Sequence, residues 1–282
     1  MLRIAVPNKG SLSEPAVAML RESGYCVART GRELRLSDHI NDVEFFFLRP
    51  RDIAVYVGSG VVSCGITGRD LLIDSGVSAL EHLALGFARS TFRFAGPAAQ
   101  FSSLEDIAGK RIATSYDLLV RQFLEERGVS DVKVVHLDGA VESSVGLGVA
   151  DLIADVVETG TTLRAAGLET FAEPLLESEA VLITTSAHLN DPQLKTLVAR
   201  LQGVMVARTY VLMDYNAPTA KLAQLLAVTP GIESPTISDL AESTWKAVRV
   251  MVPAKDVNPV MDELYAQGAR GILVTDIKAC RL

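Results

Sequence analysis

Short apolar runs recur along the first two hundred residues, and each gives way to a segment with apolar positions three or four apart. Leu2 to Val6, Leu34 to Leu36, Val43 to Leu48 and Val61 to Ile66 read as strands, and VEFFFL is apolar almost throughout. Such runs, without strict alternation, belong to strands buried on both faces. Between them, Leu12, Val17, Met19 and Leu20 set a helix that Gly24 stops. Pro50 opens a second helix, at a first-turn position where its missing donor does no harm, and Thr67-Gly68-Arg69-Asp70 opens a third.

After Thr91 to Phe94 the pattern restarts. Leu104 to Ala108, Asp117 to Arg127, Ala140 to Leu147 and Asp191 to Gln202 read as helices; Arg111 to Ala113, Lys133 to Leu137, Asp151 to Val157, Leu168 to Phe171 and Ala180 to Thr184 read as strands. Alternation of this kind predicts an α/β protein with mostly parallel sheets covered on both faces, and the restart predicts two lobes with a cleft between them. From Val204 the rhythm changes. Strands are expected at Val204 to Met213, Lys246 to Val252 and Gly271 to Ile277, with a weak one between Ile237 and Ala241. Helices are expected at Pro218 to Leu226 and along the stripe Val257, Val260, Met261, Leu264, Tyr265. The order approaches a β-α-β-β-α-β ferredoxin-like module, which more often regulates or oligomerises than catalyses.

A chain of 282 residues, 49% hydrophobic and 22% charged, is long enough for two or three domains with large cores. Its net charge of -7 argues against nucleic acid as the main partner. Cys26, Cys64 and Cys280 are scattered, with no C-x-x-C, which fits a reducing cytoplasm and neither a disulfide scaffold nor a zinc site. His39, His82, His136 and His188 are equally dispersed. MLRIAVPNKG passes straight into a strand without the regions of a signal peptide, and no apolar run approaches the roughly 18 residues that span a bilayer.

The chemistry concentrates in Glu142 to Leu163. A buried strand there delivers Glu158-Thr159-Gly160-Thr161-Thr162 to a helix start, the outline of a phosphate cradle: glycine admits backbone N–H groups, the helix start is electropositive and the hydroxyls donate. A Thr-capped strand-to-helix turn is the plainer reading. Asp155 and Glu158 would repel phosphate, so sugar hydroxyls or a magnesium ion on a diphosphate suit them better. Lys9 in its Gly/Ser loop suits an anion, and Arg49, Arg51, Arg69 and Asp70, at loops following strands, are candidates for one pocket or for structural ion pairs. Tyr116 at a strand end reads either as a ring for a purine or as a core or lid tyrosine.

Glu142, Gly148, Asp151, Asp155, Thr159, Gly160, Thr162 and Leu163 together resemble the signature of the ATP phosphoribosyltransferase family, whose members catalyse the first step of histidine biosynthesis. PNKG, the Arg49 segment, GITGRDLL and ESPTI resemble further blocks of its long form, so that the likeness covers nearly the whole chain. The resemblance implies a bilobal periplasmic-binding-protein-like catalytic part followed by a ferredoxin-like regulatory domain. Residues 1–90 with about 178–203 would form the first lobe, 91–177 the second, and 204–282 the histidine-binding domain.

It further implies a cytoplasmic pentosyltransferase that joins ATP to 5-phosphoribosyl 1-diphosphate and is inhibited by histidine and AMP. A homo-oligomer, hexameric with dimeric alternatives, is implied, with Mg2+ held chiefly by substrate oxygens and no metal ligand from the protein. Asp155 and Glu142 become catalytic candidates, and Asp155, Val156, Val157, Glu158, Thr159, Gly160, Thr161 and Thr162 the phosphoribosyl site. Lys9, Arg49, Asp70, Leu71, Ser90 and Tyr116 fall to ATP or AMP; Asp214, Ser234, Thr236 and Gly271 fall to histidine. Family members vary between acidic and small residues at position 158, so no fixed role attaches to Glu158. The rival readings are a non-catalytic bilobal sensor and a phosphoribosyltransferase for another base.

Overall fold

The computed structural model describes residues 1–27, 31, 33–157 and 160–281. Two compact units divide the chain, Met1–Arg21 with Tyr25–Lys195, and Glu22–Gly24 with Thr196–Leu282.

The first unit begins with β1 (Leu2–Pro7), α1 (Ser13–Glu22), β2 (Arg35–Asp38), β3 (Val43–Leu48), α2 (Pro50–Gly58), β4 (Cys64–Gly68), α3 (Arg69–Ser75) and β5 (Leu80–Ala84). It continues with β6 (Ser90–Pro97), β7 (Arg111–Thr114), α4 (Asp117–Glu126), β8 (Lys133–His136), α5 (Ser143–Gly146) and β9 (Leu152–Val157). Then follow α6 (Thr161–Ala165), β10 (Leu168–Thr170), β11 (Leu176–Ser178), β12 (Ala180–Thr184) and α7 (Pro192–Thr209), which carries the chain into the second unit.

Among the described residues these strands form two sheets. One has the order β2-β3-β1-β4-β12-β5, with β1 parallel to β3 and β4 and with β12 antiparallel to both its neighbours. The other has the order β10-β6-β9-β7-β8, with β11 on the end of β6. The chain passes between them twice, and the two crossings are stitched together: Leu85 N–H donates to Ala180 O, and Ala180 N–H to Phe87 O, both at 2.9 Å. Strand β12 thus returns to complete the first sheet after the second has been laid down.

Apolar alternation sets the packing. Phe92, Phe94, Leu152 and Ala154 bury one face of the second sheet against Leu119, Val120 and Phe123 of α4, while Ala95, Ile153 and Leu163 bury the other. Full burial of side chains such as Phe92 and Phe94 contributes about 1.5–3 kcal/mol each. Asp151 is structural: its carboxylate takes Arg111 N–H at 2.8 Å and Arg111 Nη2 at 2.8 Å, fixing the start of β9 beside β7. Those bonds hold the carboxyl well down, to about 2.

In the second unit β13 (Tyr210–Pro218), α8 (Leu222–Val228), β14 (Thr236–Asp239), β15 (Trp245–Pro253), α9 (Val257–Gln267) and β16 (Arg270–Asp276) give the sheet order β14-β15-β13-β16, all antiparallel, the ferredoxin-like arrangement. Val211, Met213, Tyr215 and Ala217 line its core with Val248, Val250 and Val252. The strand expected at Val204 to Met213 is a correction. Helix α7 persists to Thr209 and the strand starts at Tyr210, because Leu201 and Val204 are buried as helical positions. Gly203 lies inside that helix, where a Cβ would overlap the carbonyl oxygen of Cys280, so the absent side chain leaves room for the C-terminal segment.

Candidate active site

The loops after β1, β4, β7 and β9 leave the carboxyl ends of their strands, the edge at which α/β sheets bind ligands. Those after β1 and β7 supply Lys9 and Tyr116, and the first turn of α3 supplies Asp70; together with Leu71, Ser90 and Val156 they line a cavity of about 200 Å³. Arg49, exposed at the N-cap of α2, is not among the lining residues, although Pro50 is. Asp70 is buried at 6% exposure. Ser178 Oγ donates to its Oδ1 at 2.8 Å and accepts its backbone N–H at 3.1 Å. A Cβ at Gly68 would overlap Asp70 Oδ1, so a larger residue there would displace that carboxylate.

Tyr116 is packed rather than open. Phe92 meets it edge-on at 5.0 Å, and Arg51 Cζ lies 4.7 Å from its ring centroid, with Arg51 itself bound to Asp74 at 2.6 Å. Burial above all, with the Asp70 charge beside it, pushes the Tyr116 pKa strongly up, so the hydroxyl stays neutral.

On β9, Asp155 is half-buried, and its pKa is raised by burial above all. Its oxygen accepts the Val156 N–H at 2.8 Å, which opposes the rise, and the charges of Glu142 and Asp70 add to it. Glu142 is the half-buried N-cap of α5. Gly160 takes φ +69° at the start of the short helix α6, a left-handed position that suits glycine, and Thr161 and Thr162 are exposed. Glu158 and Thr159 lie outside the described residues.

Two further cavities lie along the same strands. A middle one of about 470 Å³ shares Ser90 and Ser178 with it, and an end one of about 480 Å³ shares Thr91 and Val157 with the middle one. Gly160, Arg93 and Arg164 line the end cavity. Strand register puts Thr91, Arg93 and Val157, which line the end cavity, on the opposite face of the second sheet from Phe92 and Val156, so the first cavity and the other two open on different sides of β6 and β9. Arg69, a pocket candidate by sequence, is tied into the scaffold by Glu81, at 2.8 Å from both Nε and Nη2, and by Glu179 at 3.4 Å. Ser178, Ala88 and Arg93 were not legible beforehand: they lie on the crossings and on β6, and carry no local motif.

In the second unit, Asp214 accepts Arg249 Nε at 2.8 Å, and Arg249 faces Thr236 across β14, so the three form one cross-strand row. Gly271 has φ +60°, with Asn216 Nδ2 where a Cβ would crowd it, and Ser234 is exposed in the loop before β14. Among the described residues no group of three His, Cys, Asp or Glu side chains could hold a metal ion, and no helix is long and apolar enough to cross a membrane.

Residues 49–203 match the family described as HisG, ATP phosphoribosyltransferase, and residues 207–279 match the one described as HisG, C-terminal domain. The chain is 62% identical over its full length, and over the full length of the relative, to the ATP phosphoribosyltransferase of Arthrobacter sp. strain FB24. It is 58% identical, again covering both chains completely, to that of Streptomyces coelicolor. Among solved structures, an ATP phosphoribosyl transferase (HisG:HisZ) complex from Thermotoga maritima superposes with a TM-score of 0.62 at 27% identity, covering 73% of this chain and 98% of that one. A putative L-cystine ABC transporter from Listeria monocytogenes shares the fold at a TM-score of 0.50 and 14% identity, covering 74% of this chain and 91% of that one.

Proposed function

The chain belongs to the ATP phosphoribosyltransferase family in its long form, and from that membership we propose how its own residues divide the transfer. The reaction is the first step of histidine biosynthesis, in which ATP is joined to 5-phosphoribosyl 1-diphosphate. Adenine N1 attacks the anomeric carbon, diphosphate departs, and positive charge builds on the sugar. A neutral ring nitrogen already holds the electron pair it donates, so the protein's work is alignment and electrostatics.

We assign the stabilisation of that charge to Asp155 in its ionised form. Glu142, within electrostatic reach, adds to the negative field. Thr159, Gly160, Thr161 and Thr162, following Val156 and Val157, cradle the 5-phosphate, and Glu158 falls to the ribose hydroxyls. Lys9, Arg49, Asp70, Leu71, Ser90 and Tyr116 serve the nucleotide. The observation that supports this reading is that Lys9, Asp70, Leu71, Ser90 and Tyr116, which the chain supplies from separate loops and strand ends, line one cavity with Val156.

Magnesium suits the substrate side of such a site. Asp70 is committed to Ser178, which leaves single carboxylates for an ion whose other ligands are phosphate oxygens, and bound there it would neutralise the leaving diphosphate. Histidine is assigned to the row of Asp214 and Thr236 with Ser234 and Gly271, as a feedback inhibitor that favours a less active state. AMP is assigned as a competitor in the nucleotide cavity. We further assign a cytoplasmic homo-oligomer, hexameric with dimer exchange.

Incubation with ATP, 5-phosphoribosyl 1-diphosphate and magnesium, with and without histidine, tests the reading through the adduct's absorbance. Adduct formation suppressed by histidine is expected. No adduct with ATP would overturn the catalytic assignment, and adduct formation with another nucleobase in place of ATP would overturn the acceptor.

A further inference from the structure

Resting on the reading just given, we infer that Asp74 is a positioning residue for the nucleotide: it clasps the two lobes beside the first cavity and fixes Tyr116 within it. Helix α4 begins without a cap of its own. Its N-cap residue is Tyr116, whose side chain makes no capping bond, so the first-turn amides need an acceptor from elsewhere. Asp74 supplies it. Its Oδ1 accepts Leu118 N–H at 3.0 Å and Leu119 N–H at 3.2 Å, across 44 and 45 residues of sequence. Asp74 stands on α3, which follows β4 of the first sheet, whereas α4 follows β7 of the second. A carboxylate of one lobe therefore closes a helix of the other.

The second carboxylate oxygen is equally committed. Oδ2 accepts Arg51 Nη1 at 2.6 Å, and Arg51 Cζ lies 4.7 Å from the centre of the Tyr116 ring. The guanidinium, carried by α2, bridges Asp74 to the face of that ring. The Asp74 side chain is only 8% exposed, and a charge so buried persists with partners of this kind. Packing follows the same line. Gly76, at φ +62° on the C-cap of α3, leaves room for Leu118, whose Cδ2 would stand 2.7 Å from a Cβ there.

Tyr116 is the point at which the clasp meets the reaction. The first cavity draws Lys9, Pro50, Asp70 and Leu71 from the first lobe and Tyr116 and Val156 from the second, so its width is set by how the lobes meet. At about 200 Å³ it falls below the range of roughly 300–1,000 Å³ in which pockets enclose small molecules. Admission of a nucleoside triphosphate requires the lobes to part, and parting them takes Asp74 off the α4 amides. Closure restores those bonds and returns Tyr116 to the nucleotide. Asp74 adds stability to the closed cleft without touching the substrate.

Stopped-flow binding of ATP with magnesium to the full chain, steady-state kinetics and amide hydrogen exchange test the proposal. Asp74→Ala should speed exchange in the first turn of α4 and raise both the ATP dissociation rate and the KM for ATP at least about tenfold. Its kcat at saturation should fall less than about threefold, because bound nucleotide restores closure. Asp74→Asn keeps an acceptor for the two amides and should recover part of each. Faster exchange in α4 with wild-type ATP release would overturn the proposal, since Asp74 would then be a cap and nothing more. A lower kcat with unchanged KM would also overturn it, by showing lost structure and not a looser cleft. Arg51→Ala, at a half-exposed side chain, carries less risk to folding: ATP release should quicken while the α4 amides stay protected, and wild-type release would break the link to Tyr116. A wild-type chain that neither binds ATP nor forms adduct would remove the transferase reading, and the clasp with it.

Discussion

Asp155 is a carboxylate whose environment works against its charge. Burial, and then Glu142 and Asp70, raise its pKa, so its folded form takes up a proton more readily than the unfolded chain does. The sign follows: its contribution to stability is greatest at low pH, where it is protonated, and is lost as pH rises through the raised folded value. At neutral pH the ionised group therefore costs stability while serving the reaction. Asp155→Asn should lower kcat/KM at least about tenfold, on the order of 1.4 kcal/mol of transition-state stabilisation, and raise the melting temperature at pH 7. In the wild type kcat/KM should fall as pH drops through the raised value. Steady-state kinetics and thermal melts on the same samples check all three, and a variant with wild-type kinetics would remove Asp155 from the site.

At the scale of elements, legibility in the sequence followed burial. The runs that became β1, β3, β4 and β9 are central strands, apolar on both faces, and their pattern survives without tertiary context. Strands β5 and β11 are short or edge elements, with mixed residues such as Leu80-Glu81-His82 and Leu176-Glu177-Ser178, and local pattern does not separate them from loops. The last turns of α7 misled for the opposite reason: Val204-Met205-Val206 has strand-like propensity, and helix packing overrides it. Glycine and threonine chemistry made the loop after β9 readable, whereas Ser178 reaches Asp70 from 108 residues away and leaves no local trace. Asp151 belongs to the signature yet works as a strap between β7 and β9. Asp151→Asn should lower the melting temperature by roughly 2–4 °C, as ordinary single-interaction losses do in domains of this size. The wild-type contribution is present above the unfolded carboxyl range and is lost as pH falls toward about 2. Equal melting curves for the two proteins at pH 7 would refute this.

For the molecule as a whole, α7 decides where the first unit is to be separated from the second. A cut near residue 203 falls inside a helix and at the contact between Gly203 and the C-terminal segment, so the cleaner truncation follows Thr209. A chain ending there keeps all of the cleft residues and loses the row of Asp214, Arg249 and Thr236. It should form adduct and be insensitive to histidine concentrations that suppress the full chain. Undiminished inhibition of the truncated enzyme would move the effector site out of the second unit. The overall plan was legible as two α/β lobes and a terminal module, because the alternation of strands and helices changes at two places. Sheet order was not, since nothing in Ala180 to Thr184 says which neighbours it will have.

The return of β12 to the first sheet also sets a timetable for synthesis. When the first ninety residues leave the ribosome, β4 has β1 on one side and an unsatisfied edge on the other, and β5 has nothing to pair with. Both wait until residue 184 has been made, by which time most of the second lobe has emerged. The nascent amino-terminal half is thus an open template for stray strands, and the two lobes mature as one event, however separate they look once finished.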